Sequence, residues 1–120
     1  MKSGDGPMTC DLKTRAKSLG VQIVRLYAEL PKREEIQVIG NQVLRSGTLV
    51  AAHWQRAKSV TDFINTMEKG LLKLEETEYW LNLLEEAAIV PTERLGALQR
   101  EVHELLGIYV TVTKAARTKE

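Results

Sequence analysis

Three sets of residues have side chains that chemistry could use, and spacing decides what each could do. Arg45-Ser46-Gly47-Thr48, inside the run VLRSGTLVAAHW, has the flavour of a phosphate-cradling loop. Such a loop needs a glycine-rich turn between a strand and a helix, with a lysine to reach the phosphates. Here there is one glycine, no Lys-Ser or Lys-Thr follows it, and the apolar periodicity passes straight through Gly47. His53 and His103 could ligate a metal, and helical bundles build di-metal centres from Glu-x-x-His pairs. Val50 and Arg100 stand three residues before the two histidines, so the motif is absent twice and neither metal nor other cofactor is expected. Glu75, Glu76, Glu78, Glu85 and Glu86 could serve acid/base work, which needs a cleft and a second titratable group opposite. Glu75 and Glu78 lie near an apolar stripe, so one of them is expected to be partly buried in an ion pair with Arg45. The remaining glutamates read as a solvated face. With no Ser-His-Asp or Cys-His spacing, the expectation is a protein that is not an enzyme.

Nucleic-acid contacts would draw on Arg56 and Lys58, with Trp54 beside them able to stack on bases. Lys32 and Arg33 fall at the opposite end of the same helix, away from that group. The net charge is +1, which argues against a strongly basic nucleic-acid domain. Its distribution is uneven, with residues 1–60 at +5 and residues 61–120 at −4. That asymmetry fits two complementary hairpins as well as it fits a basic binding face.

The elements that hold these residues are read from periodicity. At 120 residues and 43% hydrophobic, the chain is expected to form one domain with a single core. Cys10 is a lone cysteine with no partner for a disulfide, which favours a reducing, cytoplasmic setting. No run approaches the roughly 20 apolar residues of a membrane span. Residues 1–8, MKSGDGPM, read as a leader outside the fold, with Met8 a candidate native start.

From there the pattern is helical. Leu12, Ala16, Leu19, Ile23, Leu26 and Leu30 recur at intervals of three and four, predicting a helix over about 10–30 that Pro31 stops. Ile36, Ile39, Val43, Gly47, Val50 and Trp54 predict a second over 34–54. Within it Gly47 and Ala51, four apart and next to Ser46, make a flat face for close helix packing. Ser59 is placed to cap a third helix over 60–88, striped by Phe63, Met67, Leu71, Leu74, Leu81, Leu84 and Ala88. Leu95, Leu98, Val102, Leu105, Tyr109, Val112 and Ala116 predict a fourth over 92–117. IYVTVT, residues 108–113, alternates like a strand, but the continuing stripe argues for helix. Four such helices joined by short loops predict an all-α, antiparallel up-down-up-down bundle occupying residues 9–118. Tyr79, Trp80 and Leu83 form a second stripe on the third helix, more than a lone bundle needs to bury, and are expected to be contacts in a homo-oligomer.

LRSGTLVAAHW, followed by SVTDFINTMEKGLLKLEETEYWLNLL and LGIYVTVTKAAR, resembles the bacterial four-helix-bundle family also called the 23S rRNA intervening-sequence protein family. Leu44 to Thr48, Ala51, Ala52, Ser59, Phe63, Glu75, Glu78, Trp80 and Leu81 carry the resemblance, over about residues 10–117. It departs from the pattern at His53, where asparagine is usual, and at Val60, where lysine is common. The resemblance implies a ring-shaped homopentamer of four-helix bundles with no known enzymatic activity. Relatives associated with ribosomal RNA insertions and with retroelement reverse transcriptases make RNA, DNA or a protein the implied partners.

Overall fold

The computed structural model describes residues 7–56, 59–87 and 92–118. Four α-helices account for nearly all of them: α1 (Pro7–Glu29), α2 (Glu34–Ala52), α3 (Val60–Glu86) and α4 (Thr92–Thr118), with a short 3-10 turn, His53–Arg56, after α2. No strand occurs among the described residues, and 108–113 lies wholly within α4. Two boundaries differ from expectation. α1 begins at Pro7, three residues before the expected start, with proline at a position where its missing N–H costs nothing. α2 ends at Ala52, and His53 and Trp54 sit in the tighter 3-10 turn.

Each helix start has a local cause. Ser59, in extended backbone, accepts a hydrogen bond at its Oγ from the Asp62 N–H at 3.1 Å, which satisfies one otherwise free donor of α3. α2 has no side-chain cap at Arg33, but Glu34 and Glu35 fill its first turn and complement the helix dipole. Its own backbone N–H, with Arg33 alongside, holds the Glu35 carboxyl below its usual range.

The four stripes meet in one core. Leu12, Leu19 and Ile23 of α1, Val43 and Val50 of α2, Met67, Leu74 and Leu81 of α3, and Leu98, Val102 and Leu105 of α4 are buried together. Packing is dense between consecutive helices and much thinner between α1 and α4. The resulting bundle measures 47 × 27 × 21 Å.

Small residues set the α1–α2 distance. A Cβ at Gly47 would collide with Ile23, one at Gly40 would fall 2.6 Å from Leu30 Cδ1, and the Gly20 Cβ position lies 3.9 Å from the Thr48 Cα. α3 and α4 use the same device, since the Tyr109 ring lies where a Gly70 side chain would be, 2.5 Å from its Cβ position. A glycine inside a helix costs about 1 kcal/mol against alanine. These close approaches are what offset that cost at Gly47 and Gly70.

Candidate functional site

Ser46, Gly47 and Ala51 are where close packing was expected. Gly47 is buried against Ile23, Ala51 packs half-buried against the core, and Ser46 is buried on the α3 side. The link from Ser46 runs to Thr77, with the two hydroxyl oxygens 2.8 Å apart. One hydroxyl donates to the other, and the acceptor turns its own hydrogen to a carbonyl four residues back, Gln42 or Lys73. This neutral pair displaces the expected ion pair. Arg45 and Glu75 are exposed, and Glu78 lies 3.3 Å from His103 Nδ1 instead. The cause is rotation: adjacent helix positions differ by 100°, so burying Ser46 turns Arg45 outward.

Trp54 is a second correction. It is only 4% exposed, and its indole N–H donates to the Tyr109 hydroxyl at 3.1 Å. Its ring packs against Phe63 at a centroid distance of 5.9 Å. A side chain so enclosed has no face left for a nucleic-acid base. The Arg56 side chain and Lys58, its expected companions, lie outside the described residues. Burial pushes the Tyr109 phenol above its ordinary range, with the Trp54 hydrogen bond acting in the opposite sense.

Two surfaces remain with unsatisfied character. The first is the outward ridge of α3. Tyr79 is 58% exposed and meets Trp80 edge-on at 4.9 Å, while Trp80 and Leu83 are half-buried. Leu72, seven residues before Tyr79, extends the ridge and is 60% exposed. Leu72 lay outside both apolar stripes read from the sequence, although a spacing of seven from Tyr79 was the signal that could have found it.

The second surface is a groove between α1 and α2, lined by Lys13, Thr14, Lys17, Thr48, Ala51 and Ala52. Neither lysine has an ion-pair partner among the described residues. Several other cations are ion-paired, Arg15 with Glu101 and Glu104, Lys73 with Glu76, Arg94 with Glu29, and Arg117 with Glu68, while Arg25, Lys32, Arg45, Lys69, Arg100 and Lys114 are like the two lysines in having no ion pair among the described residues. The two carboxylates raise the Arg15 guanidinium above its already high range, with Glu101 the stronger influence. Sequence spacing did not single out Lys13 or Lys17, because their isolation from carboxylates is a property of the packed helices.

No group of three or more metal-ligating side chains occurs among the described residues. The Glu78–His103 pair sits on an open α3–α4 surface, with the His103 side chain 82% exposed.

The model of the family described as 23S rRNA-intervening sequence protein matches residues 9–110. Among solved structures, a crystal structure from Bacteroides thetaiotaomicron VPI-5482 is similar to this chain at 31% identity and a TM-score of 0.77. The match covers 86% of this chain and 98% of that one, which is described as a protein with unknown function from the S23 ribosomal protein family. No curated protein matches the chain.

Proposed function

The chain belongs to the 23S rRNA-intervening sequence protein family, and from that premise we propose that it is a non-catalytic, self-assembling helical-bundle scaffold or adaptor of the cytoplasm. The observation that carries this reading is the α3 ridge, where Leu72 and Tyr79 stand in solvent beside half-buried Trp80 and Leu83. A helix face that leaves large apolar side chains in solvent in this way fits an interaction site. The assembly unit is an antiparallel up-down-up-down bundle closing into a ring, with five copies the size the family resemblance implies. Side-chain pairings support the antiparallel order: Ile23 meets Gly47 while Leu30 meets Gly40, and Arg117 meets Glu68 while His103 meets Glu78. In each pair of helices, one number rises as the other falls. Light scattering of the purified chain at micromolar concentration tests the reading. A single species several times the mass of one chain is the expected result, and a stable monomer would sink it.

A second reading, an RNA-binding accessory protein acting as an oligomer, draws on the groove with its two lysines, which have no ion pair among the described residues. Repetition of that groove around an oligomer would gather modest positive charge into a multivalent surface. Retention on RNA at about 50 mM salt that falls steeply with added salt supports it, and no retention there removes it.

A further inference from the structure

The two surfaces with unsatisfied character are complementary to each other. α3 carries seven carboxylates against two lysines, and its outward ridge alternates apolar with acidic side chains: Leu72, Glu76, Tyr79, Leu83 and Glu86. The α1–α2 groove is the converse. Lys13 and Lys17 stand exposed along it, and Val24, seven residues beyond Lys17 on the same α1 face, is exposed as well. At 1.5 Å per residue the ridge runs about 21 Å and the groove face about 16 Å, so their lengths are compatible.

We propose that the α3 ridge of one copy seats in the α1–α2 groove of the next, Glu76 and Glu86 facing Lys13 and Lys17 while Leu72 and Tyr79 cover the exposed valine. The inference rests on the self-assembly reading above and assigns its two surfaces. Because ridge and groove are different patches of one chain, the contact is head-to-tail, and only a closed ring leaves neither patch uncovered. The occupant of the groove is thus a second copy of this chain.

Sedimentation velocity of the full-length chain at low micromolar concentration tests it, with circular dichroism confirming that each variant stays helical. The four charged positions are exposed, so reversing them leaves the core untouched. Lys13→Glu with Lys17→Glu is expected to weaken association at least about tenfold, and Glu76→Lys with Glu86→Lys to do the same. All four changes in one chain restore assembly, because the reversed ridge again matches the reversed groove. The proposal is overturned if either pair leaves assembly intact, or if the fourfold variant is as dissociated as the pairs. A monomeric wild type would remove the self-assembly reading along with it, whereas an assembled wild type indifferent to both reversals removes the interface alone. Loss of RNA retention with assembly unchanged in the lysine variant would give the groove to nucleic acid and overturn the proposal equally.

Discussion

Tyr109 and Gly70 show how much one atom matters where a ring crosses a helix backbone. The Tyr109 ring is fully buried and held by Trp54, so it cannot move aside for a methyl group. Gly70→Ala is therefore expected to lower stability by about 1–3 kcal/mol, the range for overpacking, despite alanine's better helix propensity. Gly107 makes the control, since a Cβ there meets nothing within 4 Å. Gly107→Ala should raise stability by up to about 1 kcal/mol, and urea unfolding of the two variants compares the signs directly. The Tyr109 phenol adds a pH signature. Its pKa in the folded chain is raised from the usual 10.0, mainly by burial, so the folded state holds that proton more tightly than the unfolded state. The corresponding stability is fully present below about pH 10 and is lost as pH rises through the folded value. Thermal melts between pH 8 and about pH 11 should show this decline, and Tyr109→Phe should flatten it while lowering stability at neutral pH through the unpaired Trp54 N–H.

Helices differ in how much of themselves a sequence exposes to reading. α3 starts where Ser59 accepts from the Asp62 N–H, and Ser59→Ala should cost about 1 kcal/mol in chemical denaturation. That start was legible because capping is local, confined to four residues. The buried stripes were legible for a related reason: Leu12, Leu19, Ile23, Val43, Met67 and Leu105 declare their faces by spacing alone. What one helix places opposite another was not legible. The choice between Arg45 and Ser46 as the residue facing α3 turns on a 100° rotation, and Thr77 gives no sequence sign that it waits there. Trp54 failed as a candidate base-stacking residue in the same way, because its enclosure depends on Tyr109, 55 residues away. Two unpaired lysines in a groove are likewise visible only once α1 and α2 are side by side.

At the scale of the molecule, the self-assembly proposed above would link stability to concentration. Association that favours the folded state raises the melting temperature by mass action, so the midpoint should climb as the protein is concentrated from about 1 to 100 µM and stay flat in the lysine double variant. Differential scanning calorimetry across that range reads the slope. The thin contact between α1 and α4, bridged by Arg15 to Glu101 and by Arg94 to Glu29, has a consequence in time. Most of the packing joins helices that are neighbours along the chain, so few native contacts require a long loop to close first. Chains of that kind fold in microseconds to milliseconds, and the last event is the one that spans the greatest sequence distance. The seam between the first and last helices is that event, and its polar staples close after the three pairs of consecutive helices have packed.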